Sequence, residues 1–237
     1  MYFMFTRYKK FKVIDNFISK TYQDELLKGV GAPSTAWLYQ PNMDYGPEDA
    51  RENPGITNTV AFEQATDDKY SQFVLEILGM GNIQNHALFY ALLGLTCKIT
   101  DDLIPSHRGY RIRGIHQTPI PNPPLHYIPH TDCQESKNDV WSAIYYLNDA
   151  TGDTFLFEEQ IDDVSMSDRR THKWKPVDQV SPKKGRLILF PARQYHAGSP
   201  PKRDMRMLIN FNFSMPADTY VDQIRQNMPQ FPSGDPR

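Results

Sequence analysis

The chain has 237 residues, of which 39% are apolar, 12% aromatic and 23% charged, the balance of an ordinary globular protein rather than a disordered or membrane-spanning one. A formal net charge of -2 and a pI near 6.4 leave no electrostatic footprint for nucleic acid. Cys97 and Cys133 alone make neither a disulfide framework nor a thiolate metal site, and the opening MYFMFTRYKKFKVIDNF lacks a signal-peptide core, so the expected location is a reducing cytoplasm with no membrane partner.

A short apolar stretch ends at Val13-Ile14. Ser19 then reads as an N-cap, and Tyr22, Leu26, Leu27 and Val30 recur at helical spacing up to Gly31. Residues 32–60, rich in Pro, Asn and Gly with single aromatics such as Trp37 and Tyr39, read as a structured loop or short strands. Ile83, Ala87, Leu88, Ala91, Leu92, Leu95 and Ile99 predict a helix over 83–102, closed by Pro105. Beyond residue 108 the pattern changes to short β-type runs at 110–117, 125–132, 139–148, 154–158, 186–191 and 206–214. The loop material between them includes TPIPNPP and a polar insert at 159–181. Helical and β parts join without a linker, so the expectation is one α+β domain with helices packed on a sheet. It divides into mainly helical support and loops over 1–108, a β core over 109–214, and a partly ordered tail over 215–237 that carries Pro216, Pro229, Pro232 and Pro236.

The β core contains HYIPHTD at 126–132. Pro129 excludes a helix there, and in an extended chain His126, Ile128, His130 and Asp132 share one face, so that His130 and Asp132 converge on one ion. An H-x-D pair alone is weak. A mononuclear iron site needs two imidazoles and a carboxylate on one triangular face, and His196, following the strand Leu187–Phe190, is the candidate third ligand. The run RMLINFNFS then alternates: Met207, Ile209, Phe211 and Phe213 face one way, Arg206, Leu208, Asn210 and Asn212 the other. A polar face carrying an arginine requires something other than apolar core. A cavity holding a carboxylic acid satisfies it, gripped in the bidentate manner that guanidinium allows and lysine does not.

The ordered segments YIPHTD, SAIYYLNDATGDTFLF, PKKGRLILFPARQYHAG and RMLINFNF resemble the core of the Fe(II)/2-oxoglutarate-dependent dioxygenases, in particular the prolyl 4-hydroxylase-like branch. The resemblance implies a double-stranded β-helix, or jelly roll, with His130, Asp132 and His196 as the catalytic iron ligands and Arg206 on the distal carboxylate of 2-oxoglutarate. Thr154, in GDTF, matches a strand of that family, and Asn210 lies on the polar face beside Arg206; both join the expected cofactor-binding set. Tyr127 matches a tyrosine placed near the substrate. Where the branch has a 2-oxoglutarate-contacting tyrosine before the first ligand, this chain has TPIPNPP, with His116 or Gln117 as the stand-in. Asn212 replaces the second arginine of the nucleic-acid demethylases, which argues against that branch, and the presence of Asp132 argues against the halogenases.

The expected cofactors are therefore Fe(II) and 2-oxoglutarate, with ascorbate as an optional reductant, and the partners are molecular oxygen and a small-molecule or peptide substrate. The expected reaction is hydroxylation of an unactivated C–H bond of a prolyl residue or free amino acid. The alternatives are the same chemistry on an unrelated metabolite or nucleotide, and a non-catalytic jelly-roll binding protein. A structural zinc site is disfavoured because such sites are four-coordinate and cysteine-rich.

Overall fold

The computed structural model describes residues 11–40, 72–79, 81–120, 122–133, 139–160, 164, 168 and 172–215. The expectations for 41–60 and for the tail beyond Met215 lie outside these residues.

Local signals set both helices. Ser19, in extended conformation, accepts a hydrogen bond from the Tyr22 amide at 3.3 Å, and α1 follows over Lys20–Val30 before Gly31 returns its amide to the Leu27 carbonyl. The second helix, α2, spans His86–Leu103. It starts later than the periodicity predicts because Asn85 caps it, accepting from the Leu88 amide at 3.0 Å. Asn82–Ile83 is instead a strand segment. Tyr22 ties the helices together, donating its hydroxyl to the Ala91 carbonyl at 2.5 Å and accepting from the Leu95 amide at 3.2 Å.

The strands are β1 (Lys12–Ile14), β2 (Leu38–Gln40), β3 (Gln72–Gly79), β4 (Asn82–Ile83), β5 (Arg108–Gln117), β6 (Val140–Tyr146), β7 (Thr154–Gln160), β8 (Pro176–Val180), β9 (Leu187–Pro191), β10 (Gln194–Gly198) and β11 (Arg206–Ser214). Among the described residues they form a major sheet in the order β1-β9-β6-β11-β5-β3-β2, with β4 on β3, and a minor sheet β10-β7-β8. All described pairings are antiparallel.

The two-residue period of each strand sorts side chains into layers. Met207, Ile209, Phe211 and Phe213 turn outward and pack with Ala143, Tyr145, Leu187 and Leu189 against Leu26 and Val30 of α1 and Leu92, Leu95 and Ile99 of α2. Leu208, Ile144, Tyr146, Ile188 and Phe190 turn inward and meet Leu156 and Val180 of the minor sheet. The outer face of the minor sheet carries Phe155, Phe157, Tyr195 and Ala197, with Trp174 packed against them. The result is helices, major sheet and minor sheet, an α+β jelly roll as expected. No helix among the described residues is long and apolar enough to cross a membrane.

Three details lie beyond the sequence pattern or against it, for identifiable reasons. Beside its two helices the N-terminal part supplies four strands over residues 12–83, and β3 sits inside the major sheet against β5. Its near-continuous apolar run, Phe73 to Leu78, is the pattern of a strand covered on both faces rather than an alternating one. The polar insert 159–181 contains β8, held by pairing to β7 rather than by its own propensity. Conversely, 125–132 is not a strand. Proline at 123, 124 and 129 removes ladder donors, and only an isolated bridge between His130 and His196 forms.

Candidate active site

Although it is not a strand, the segment around His130 is fastened along β10 and the residues before it. The Tyr127 amide donates to the Gly198 carbonyl at 2.8 Å, His130 and His196 exchange backbone bonds at 3.0 and 2.9 Å, and the Asp132 amide donates to the Ala192 carbonyl at 2.9 Å. These bonds bring together residues far apart in sequence. The imidazoles of His130 and His196 lie 4.4 Å apart, and Asp132 stands 3.9 Å from His130 Nε2 and 3.7 Å from His196 Nε2. Ligand atoms from all three fall within 4.8 Å of one another. His126, expected on the same face, packs instead tilted and edge-on against Phe155 and Phe157 with ring centroids 5.6 and 5.0 Å away, on the outer side of the minor sheet. The irregular backbone about Pro129 breaks the two-residue period.

Two members of the triad, His196 and Asp132, are oriented from behind. Nδ1 of His196 lies 3.1 Å from the Gln194 carbonyl, which only accepts, so Nδ1 donates there and Nε2 is the nitrogen that faces Asp132. Asp132 accepts from Ser142 Oγ at 2.5 Å and from Asn212 Nδ2 at 3.0 Å; Asn212 Nδ2 also lies 3.0 Å from Ser142 Oγ. Burial pushes the Asp132 carboxyl up, but the charges of His196, His130 and Arg111 and the Ser142 bond outweigh it and hold the pKa at about 2. It is therefore an anion at neutral pH. The His130 side chain is 44% exposed, so the triad opens toward solvent on that side.

Farther along the inner face of β11 lies Arg206, 3% exposed. Its Nη1 donates to Gln117 Oε1 at 2.8 Å and its Nη2 to Thr154 Oγ1 at 2.7 Å. Tyr146 donates its hydroxyl to Thr154 at 2.7 Å, and its ring lies 5.6 Å from the guanidinium. These partners are all neutral. Among the described residues Arg206 has no carboxylate partner, and its Nε has no acceptor. Asn210, one inward position from both Leu208 and Asn212, has a buried Oδ1 that is likewise unpartnered. A buried guanidinium without an anion is costly, and a carboxylic acid bound along this face would supply what it lacks. The donors of the triad, two imidazoles and one carboxylate, are the set that suits ferrous iron. On both counts the residues fit Fe(II) and 2-oxoglutarate.

Of the residues singled out in the sequence, His130, Asp132 and His196 come together, as do Arg206 and Thr154, and Asn210 lines the face between them. Tyr127 is buried, at 3% exposure, beside Gly198. His116 does not belong to this site. In the β5–β11 register it stands opposite Met207, on the outer face, packed against Trp37 and Phe73; Gln117, opposite Arg206, makes the contact. The inward residues Ser142, Asn212 and Tyr146 escaped the sequence reading. Asn212 lies on the polar face of the alternating last strand, a usable signal, but Ser142 sits in an apolar run and only its register with Asn212 reveals it.

The layered sheets make a jelly roll, and the triad is a donor set of the kind that suits non-haem iron. The comparisons agree with this. Residues 119–214 match the family described as the 2OG-Fe(II) oxygenase superfamily. In solved structures the chain resembles AviO1 from Streptomyces viridochromogenes Tue57, at 14% identity over 87% of this chain and 90% of that one with a TM-score of 0.55. It also resembles the non-heme alpha ketoglutarate dependent epimerase SnoN from nogalamycin biosynthesis, at 9% identity over 88% and 79% with a TM-score of 0.55. A viral collagen prolyl hydroxylase from Paramecium Bursaria Chlorella virus-1 shares 14% identity over 88% and 97%, with a TM-score of 0.49. Comparison with the curated proteins gives no match in sequence. The segment matched by the family model contains all three residues of the triad and Arg206.

Proposed function

We propose that residues 109–214 form the catalytic core of a single dioxygenase domain in which His130, Asp132 and His196 hold the ferrous ion, and which hydroxylates a C–H bond of a prolyl residue or free amino acid. The observation that carries this reading is the pairing, on one inner face, of the His-Asp-His cluster with a buried guanidinium that has no anion of its own among the described residues. When bound, iron and 2-oxoglutarate supply the oxidising chemistry: dioxygen is consumed, 2-oxoglutarate becomes succinate and carbon dioxide, and one oxygen atom enters the substrate.

The protein's contribution is positioning. Arg206, steered by Gln117 and Thr154, takes the distal carboxylate of the oxo acid, and Asn210 lines the same inner face. Ser142 and Asn212 fix Asp132 in one rotamer and keep it ionised. The carbonyl of Gln194 fixes the tautomer of His196. No side chain need act as general acid or base. The choice of a prolyl or amino-acid substrate rests on the likeness of YIPHTD, GDTF and the later segments to the prolyl 4-hydroxylase-like branch, since a fold shared at such low identity selects no substrate.

The test is anaerobic. Ferrous iron and 2-oxoglutarate added to the metal-free protein should give the visible charge-transfer absorption of a chelated 2-oxo acid, lost in Asp132→Ala and His196→Ala, both of which should keep the far-ultraviolet circular dichroism of the wild type. A folded wild-type protein with no such absorption, or a full-strength absorption in both variants, refutes the assignment.

A further inference from the structure

The inner face of the β5–β11 pair carries more positive charge than the cofactors account for. In an antiparallel ladder directly opposed residues project to the same side. Arg111 is opposite Asn212, Arg113 opposite Asn210, Ile115 opposite Leu208 and Gln117 opposite Arg206. Leu208 and Ile115 pack in the core between the sheets, and Asn212 touches the Asp132 carboxylate. Arg111 and Arg113 therefore project to the triad's side of the major sheet, at the end away from Arg206.

The two arginines differ in how their charge is met. Arg113 Nε donates to Glu76 Oε2 at 2.6 Å, and the pair is about three-quarters buried. Arg111, half-buried, makes no hydrogen bond or ion pair among the described residues, though its field reaches both Asp132 and Glu76. In the loaded centre the formal charges of the ferrous ion and Arg206 cancel those of Asp132 and 2-oxoglutarate, and Glu76 cancels Arg113. The charge of Arg111 is left over, one strand away from Asn212 and on the triad's side of the sheet.

We propose that Arg111 is a specificity-determining residue that binds a carboxylate of the substrate, so that the preferred substrate is a free amino acid, or a chain ending in a free carboxylate, rather than an internal residue of a polypeptide. This rests on the iron and 2-oxoglutarate reading given above. A single uncompensated guanidinium matches a singly charged carboxylate, and its fork suits the two oxygens of that group. With Arg113 paired to Glu76 beside it, no second free cation for a doubly charged phosphate stands on this face among the described residues.

The experiment uses the iron-loaded protein and measures 2-oxoglutarate turnover stimulated by L-proline and the other common amino acids, each tested as the free acid and as its carboxamide. Wild type should respond to at least one acid and respond to its amide with a KM about tenfold or more higher, the scale of one lost charge-assisted bond. Arg111→Gln should raise the KM for the acid to that of the amide and leave the amide unaffected; Arg111→Lys should recover part of the difference. The anaerobic iron–2-oxoglutarate absorption, measured alongside, separates the two readings. If it forms and wild type responds equally to acid and amide, or to neither, the carboxylate assignment is wrong and the cofactor reading stands. An unchanged acid KM in Arg111→Gln overturns it equally. If the absorption never forms, both fall.

Discussion

Gly198 ends β10 opposite Thr154, and an alanine Cβ there would lie 2.8 Å from Nη1 of Arg206, against the roughly 3.5–4.0 Å of a comfortable contact. The backbone at this position is not left-handed, so alanine meets no conformational barrier and its effect falls on the guanidinium. Arg206 cannot swing clear, because it is buried and both terminal nitrogens are engaged, at 2.8 Å to Gln117 and 2.7 Å to Thr154. Relief requires a shift of roughly half an ångström or more on the Nη1 side, which breaks or stretches the Gln117 bond and turns the fork away from its ligand. A hydrogen bond from a charged group contributes about 1.5–3 kcal/mol. Gly198→Ala should therefore weaken 2-oxoglutarate binding by about 10- to 150-fold, with iron affinity and melting temperature close to wild type. Titrating 2-oxoglutarate into the anaerobic iron-loaded protein measures this directly, with Arg206→Ala as the reference for complete loss. A dissociation constant within twofold of wild type, while Arg206→Ala is strongly impaired, would refute the argument that this glycine makes room for the clamp.

Asn212→Ala and Ser142→Ala each remove a donor from Asp132, and the supporting partners of a metal ligand typically contribute about 10- to 100-fold in affinity. Each variant should lose iron affinity on that scale in an equilibrium titration, and the double variant should lose less than the product because the two donors also contact each other; affinities equal to wild type would remove them from the site. Burial lowers the pKa of His116 below its ordinary 6.5. The unfolded chain then takes up this proton more readily than the folded one, so the stability tied to the neutral ring is fully present above about pH 6.5 and is lost as pH falls through that value toward the lower folded pKa. In His116→Gln the drop in melting temperature between pH 8 and pH 6 should be smaller than in wild type, and an identical drop would show that the ring titrates freely in the fold.

Local chemistry was enough to read several elements from the sequence. The Ser19 cap and Gly31 stop bound α1, and the strict alternation of Met207 to Phe213 separates the two faces of β11, because these signals act over a few residues. His130, Asp132, His196 and Arg206 could be singled out for a related reason: a metal and a carboxylate tolerate few donor types, and the structure brings the two histidines and the aspartate together. Pairing could not be read in the same way. The sequence placed His126 with His130 and left His116 and Gln117 open as the stand-in beside Arg206; strand register decides, putting His116 outside and Gln117 inside, one residue away and on the opposite face. Segment 125–132 scored as a strand although its prolines leave it fastened only at intervals to β10. Ser142 under Asp132 and Arg111 on the triad's side of the major sheet were silent because their meaning lies in which residue stands across the ladder. Long-range register is set by how whole faces bury, and only the assembled sheets decide it.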